Sequence, residues 1–183
     1  GGTFHSFAAN ALRRYANLIG LPPDFTILDT SDSEDIIDLI RTELKLNKGD
    51  KKFPKKSRIF ELLSYSRNRG ETIEDIIHNE YSGLIDYTTD IELVCKGYMR
   101  YKIASHNLDF DDLMEVFRDA LRDKQHFRNK ISERFQYIMV DEFQDTNVIQ
   151  KEIVDLLAKP HRRLMVVGDD AQSIYAFRGA NYE

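Results

Sequence analysis

The sequence predicts an α/β fold built on parallel strands, and three observations carry that prediction. Two short apolar runs, Tyr137-Ile138-Met139-Val140 and Leu164-Met165-Val166-Val167, are too short for helices and rich in branched side chains. That is the pattern of strands buried on both faces. Between them, Val148, Ile149, Ile153, Leu156 and Leu157 recur at helical spacing, and a crossover of this length makes the strands parallel with a right-handed connection. Both runs end in polar residues: Asp141-Glu142-Phe143-Gln144-Asp145-Thr146-Asn147 after the first, Gly168-Asp169-Asp170-Ala171-Gln172 after the second. Open parallel sheets bind ligands at the carboxyl ends of their strands. Asp141, Glu142, Asp169 and Gln172 are therefore expected at one crevice.

Composition sets the limits. A chain of 183 residues with 42% hydrophobic and 31% charged residues is globular and can form one sizeable domain or two small ones. The net charge of -5 argues against a broadly basic nucleic-acid binder, while leaving room for a local basic groove. The single Cys95 cannot form an internal disulfide, and no apolar run reaches the length of a membrane span or signal peptide. A reducing cytoplasm is the expected setting. The phosphate loop pattern G-x-x-x-x-G-K-[ST], whose amides and lysine cradle phosphates, does not occur in the sequence.

The remaining elements follow in chain order. Residues 3–19 read as a helix, with Thr3 as cap, Phe4, Phe7, Ala8, Ala11, Leu12, Tyr15 and Ile19 at helical spacing, and Gly20 as its end. Leu21-Pro22-Pro23 forbids continuation, and Phe25-Thr26-Ile27-Leu28 reads as a short strand. Ser33, followed by acids, is the expected cap of a helix carrying Ile36, Ile37, Leu39, Ile40 and Leu44. The stretch 47–56 is polar, and with Lys48, Lys51, Lys52, Lys55, Lys56 and then Arg58 it is the most basic part of the chain. It either forms a solvated loop or grips phosphates, each lysine contact releasing a condensed counterion. Amphipathic segments follow at 59–65, 73–77 and 91–101, the last with Ile91, Val94, Tyr98 and Tyr101 on one stripe, a pattern of core or interface before base stacking. Asp109 is placed to cap a helix bearing Phe110, Leu113, Met114, Phe117 and Leu121, with first-turn acids that suit the helix dipole. A polar connection over 122–133 leads to the central strands.

The strings DEFQDT at 141–146 and GDDAQSIYAFRGA at 168–180 resemble the second and third conserved motifs of the UvrD/Rep/PcrA group of superfamily 1 DNA helicases. The resemblance extends to Gly2-Thr3-Phe4-His5-Ser6-Phe7 and to Leu108-Asp109-Phe110-Asp111-Asp112-Leu113, so it frames the whole chain. It implies that residues 1–30 and 106–183 are part of a RecA-like P-loop NTPase parallel sheet, and that residues 31–105 are an inserted all-helical subdomain. In that family the phosphate loop precedes the TFHS segment. The chain is accordingly expected to be an internal fragment of a longer motor, without the second RecA-like domain and inactive as an ATPase alone.

The resemblance also assigns roles. Asp141 would hold the Mg²⁺ of bound ATP, Glu142 would position the hydrolytic water as general base, and Gln172 would sense the γ-phosphate. Gln144 and Asp145 would buttress the site or connect it to the DNA side. Thr3 and His5 would contact the single-stranded DNA backbone, although Thr3 also serves as a plain helix cap. Tyr175 and Phe177 would stack on bases; the family commonly has Trp where this chain has Phe177, so the stacking face is smaller. Arg178 would meet either phosphate or the acidic cluster. The implied function is ATP-dependent 3′-to-5′ translocation on single-stranded DNA and at duplex junctions, in repair or recombination. Alternatives are a helicase subunit of a helicase-nuclease complex and a non-hydrolysing DNA-binding module. A metal-dependent nuclease using Asp141, Glu142, Asp145 and Asp169 around two ions is a further rival, but it leaves Gln172 and the aromatic tail without purpose.

Overall fold

The computed structural model describes residues 1–46 and 53–169. In chain order these form α1 (Phe4–Ile19), β1 (Thr26–Ile27), α2 (Thr30–Glu43), α3 (Lys56–Arg69), α4 (Ile73–Glu80), a 3₁₀ turn (Ser82–Tyr87) and α5 (Thr88–Ala104). They continue with β2 (Asn107–Leu108), α6 (Phe110–Asp123), α7 (Gln125–Ser132), β3 (Ile138–Val140), a 3₁₀ turn (Phe143–Asp145), α8 (Val148–Ala158) and β4 (Leu164–Val166). The fold is mixed α/β, mostly helical, with two small parallel sheets, β1–β2 and β3–β4. The chain divides into two compact units, one of Gly1–Phe25 with the chain from Phe110 onward, the other of Thr26–Asp109.

In the first unit, α1 starts where the Thr3 side chain accepts the Ser6 amide, and stops at Gly20, whose φ of 77° is open to glycine and whose N–H returns to the Ala16 carbonyl. Its small face, Ala8, Leu12 and Ala16, is buried and α1 packs on α6 and α7. The fit is completed by edge-on aromatic pairs, Phe7 with Phe117 and Phe135, and Phe127 with Phe117 and Tyr15. Each such pair adds about 0.5–1.5 kcal/mol beyond the area it buries. Helix α6 also packs on α8, whose start is fixed by a reciprocal cap between Asn147 and Gln150.

The expected polar connection over 122–133 contains a helix, α7, which buries Phe127 and Ile131. The expected strands are present, paired in parallel with Ile138 opposite Leu164 and Val140 opposite Val166, but they are not buried on both faces. Only Val140 among their residues is buried, whereas Met139 is 71% exposed and Met165 55%. The apolar side chains of Met139, Leu164, Met165 and Val166 are all exposed.

The second unit closes a separate core of Ile37, Ile59, Leu62, Ile76, Ile77, Ile91, Val94 and Tyr98 among α2 to α5. Helix α2 is capped by Asp29, not by Ser33: Asp29 accepts the Asp32 amide at 2.8 Å and Asp32 reaches back to the Asp29 amide. Ser33 is fully buried one turn further on, with no partner for its hydroxyl. Close approach of α5 to α2 needs Gly97, because a Cβ there would lie 2.8 Å from Ile40 Cγ2. Of the basic stretch, Lys56 pairs with Asp35 and Arg58 with Glu61, while Lys48, Lys51 and Lys52 lie outside the described residues. Tyr98 is core, and its hydroxyl donates to Asp109, which also binds Lys102 and Arg67.

Candidate active site

The parallel ladder of β3 and β4 continues past the strand ends. Val167 N–H donates to the Val140 carbonyl at 2.8 Å, and Phe143 N–H donates to the Val167 carbonyl at 2.9 Å. This brings the two expected acidic loops side by side at the carboxyl edge. Asp141 and Glu142 are exposed there, and the Glu142 amide donates to Asp141 Oδ1 at 3.0 Å.

Glu142 occupies the left-handed region, φ 52° and ψ 42°. Such a backbone is uncommon for a residue with a side chain and collects at functional sites. The turn that follows is held by Asp145 N–H to the Glu142 carbonyl at 2.9 Å and by the Thr146 hydroxyl to the Phe143 carbonyl at 2.6 Å. Lys151 lies over the Phe143 ring, 5.7 Å from its centre.

Gln144 joins the two loops. It is 8% exposed; its Nε2 donates to Glu142 Oε2 at 2.6 Å, and its Oε1 accepts the Asp169 amide at 3.0 Å. Gly168 makes room for it, since a Cβ there would sit 2.6 Å from Gln144 Oε1. The structure thus joins Glu142 and the Asp169 amide through a residue that motif reading expected to buttress the site or connect it to the DNA side. Gly168 and the left-handed Glu142 went unread; the one signal for Gly168 was a glycine directly after an apolar strand. Asp145 keeps one buried carboxylate oxygen without a partner.

The acidic donor set is small. Among the described residues no three His, Cys, Asp or Glu side chains are gathered as a metal-holding group. One or two carboxylates suit Mg²⁺ on a nucleotide, because waters and phosphate oxygens complete its shell. Asp141 fits that part: its Oδ1 takes the neighbouring amide, and the exposed carboxylate has its other oxygen to offer.

Thr3 and His5 stand elsewhere in the unit, at the start of α1. Thr3 is engaged as cap, and His5 lies edge-on to Phe110 with centroids 5.6 Å apart. Burial pushes the His5 imidazole below its ordinary value, with the Asp111 charge opposing, so it is neutral at physiological pH. Gln172, Tyr175, Phe177 and Arg178 lie outside the described residues.

Comparison with known proteins identifies the family. The model of the UvrD/REP helicase N-terminal domain matches residues 1–183. An ATP-dependent DNA helicase PcrA of Staphylococcus epidermidis is 38% identical over 186 residues, covering 99% of this chain and 24% of the relative. A PcrA of Staphylococcus aureus is 37% identical over 187 residues, with the same coverage of 99% and 24%. The chain therefore spans about a quarter of the length of these relatives. No helix among the described residues is long and apolar enough to cross a membrane. The chain belongs to the UvrD/REP helicase N-terminal domain family.

Proposed function

We propose that this chain forms part of the nucleotide-hydrolysing, DNA-engaging domain of an ATP-dependent 3′-to-5′ DNA helicase or translocase. The observation that carries the proposal is the carboxyl edge of β3 and β4. There, two parallel strands present Asp141, a conformationally constrained Glu142 and Asp169 side by side. The relatives are named as ATP-dependent DNA helicases, which supports the same reading.

In this proposal β3, α8 and β4 belong to a RecA-like parallel sheet, and the helical unit is an insertion within it. The exposed apolar faces of β3 and β4 support that view, because parallel strands of this composition are normally covered on both sides. A second RecA-like domain of the same polypeptide would close the cleft.

The residue roles follow from the chemistry. Phosphoryl transfer to water asks mainly for in-line placement and charge neutralisation. Asp141 would hold Mg²⁺, which when bound neutralises charge on the phosphates. Glu142, with one oxygen held by Gln144 and the other open to solvent, would orient the attacking water and take its proton. Gln172 would bond the γ-phosphate or that water. Thr3 and His5 would meet the single-stranded DNA backbone, Tyr175 and Phe177 would stack on bases, and Arg178 would meet phosphate or the acidic cluster. The setting would be cytoplasmic, on single-stranded and duplex-junction DNA, in repair or recombination.

The test is single-strand-DNA-stimulated ATP hydrolysis by the full-length protein. Glu142→Gln should keep ATP binding and lose turnover, and Phe177→Ala should mainly weaken stimulation by DNA. Near-normal turnover by Glu142→Gln would sink the assignment.

A further inference from the structure

The buried amide of Gln144 has a determined orientation. The Asp169 backbone amide can only donate, so Gln144 must turn its oxygen toward it, at 3.0 Å. The NH₂ group is thereby aimed at Glu142 Oε2, 2.6 Å away, which can only accept. Both ends of one short, buried side chain are thus fixed by groups on different strand ends. Gly168 allows the approach, with its hypothetical Cβ 2.6 Å from the same Gln144 oxygen. Glu142 itself sits in a left-handed backbone, so its carboxylate direction depends on what holds it from outside.

We propose that Gln144 is a positioning residue that ties the Glu142 carboxylate to the Gly168–Asp169 strand end. A shift of the Gly168–Asp169 strand end is then carried to the Glu142 carboxylate through this amide. The inference rests on the reading of Glu142 as the group that positions water, and goes beyond it in naming what aims Glu142 and from where. Gly168–Asp169 opens the segment that leads in sequence to Gln172, so the β4 end and the water-positioning carboxylate move as one body. The amide also leaves one Glu142 oxygen engaged by a donor and the other open, the state a base needs.

The experiment uses the full-length protein and follows ATP turnover with single-stranded DNA. Gln144→Ala should lower kcat roughly tenfold to a hundredfold, as expected for a misaligned reacting group, with KM for ATP little changed. Gln144→Glu keeps an acceptor for the Asp169 amide and loses the NH₂ that holds Glu142, so it should lower kcat as Gln144→Ala does, with KM for ATP again little changed. Gly168→Ala presses on Gln144 and should lower kcat in the wild type. In a Gln144→Ala background it should add much less, leaving only the backbone contacts at 3.2 and 3.3 Å that its methyl would still meet.

Wild-type kcat in Gln144→Ala or in Gln144→Glu, or full additivity of Gly168→Ala with Gln144→Ala, would each overturn the proposal. The two levels separate cleanly. If Glu142→Gln is dead while Gln144→Ala turns over normally, only the strut fails. If Glu142→Gln turns over normally, the reading of Glu142 fails and takes the strut with it.

Discussion

Removing the Asp109 carboxylate should loosen the core of the helical unit. Asp109 is 1% exposed, and it accepts hydrogen bonds from the buried Tyr98 hydroxyl at 2.9 Å, from Lys102 Nζ and from Arg67 Nη1 at 3.3 Å. The Lys102 side chain is 2% exposed and the Arg67 side chain 10%, so water can replace the lost partner at Arg67 far more readily than at Lys102. Asp109→Leu takes from the buried Lys102 ammonium the carboxylate it pairs with. Breaking a buried pair from one side costs about 3–5 kcal/mol. The Tyr98 bond to a charged acceptor is worth about 1.5–3 kcal/mol alone, but it shares the same carboxylate and does not add in full.

Hydrogen exchange of α5 backbone amides reads this directly, because those amides exchange when the helical core opens. A loss of about 3–5 kcal/mol speeds exchange by roughly two to three and a half powers of ten. The double replacement Asp109→Leu with Lys102→Met should recover most of the protection, since a buried ion pair exchanged for apolar groups is often neutral or better. Wild-type exchange in the single variant would refute the reasoning. So would a double variant as unprotected as the single one.

Two further expectations concern titrating groups. Burial pushes the Cys95 thiol up to about 12, so in the native protein at pH 8 it should resist an aromatic disulfide reagent and react on unfolding; labelling of the native protein at the unfolded rate would contradict its burial. His5 is depressed below its ordinary value of 6.5 by burial, against the opposing charge of Asp111, so the folded state binds fewer protons than the unfolded one. Its contribution to stability is present above about pH 6.5 and is lost as pH falls through the lowered folded value. The denaturation midpoint of wild type should therefore fall more between pH 7.5 and 5.5 than that of His5→Gln, and equal falls would sink the assignment.

Local chemistry explains which parts of this fold were legible. The β3–α8–β4 unit announced itself because two branched apolar runs bracket a helical stripe, and α1 because its stripe ends at a glycine. Helix α7 escaped notice because an eight-residue helix shows just Phe127 and Ile131 on its buried side, too short a stripe to separate from a polar linker. Ser33 looked like a cap because caps are read from residue type, while the choice between Asp29 and Ser33 depends on where the chain leaves β1. Strand composition points to burial on both faces, yet composition reports what a strand is suited to lie against, and of the β3 and β4 residues Val140 alone is buried. The Gln144 bridge spans 25 positions. No local pattern can reveal it, because it exists only once the register of β3 against β4 is set.

That register gives the site its rigidity. The strand pair has little burial to hold it, with β4 exposed throughout, so its geometry rests on hydrogen bonds. Ile138 N–H to the Arg163 carbonyl begins the ladder at 2.9 Å, Val167 N–H to Val140 extends it, and Phe143 N–H to Val167 folds the first loop onto the second. The Gln144 amide then continues the same ladder with a side chain. A carboxylate that works on water must be wet, which rules out fixing it by burial, and it must also be aimed, which requires directional bonds. Backbone pairing carried past the strand ends, at Val167 and Phe143, would meet both needs in the role proposed for Glu142, which stays exposed while its backbone and one of its oxygens are held.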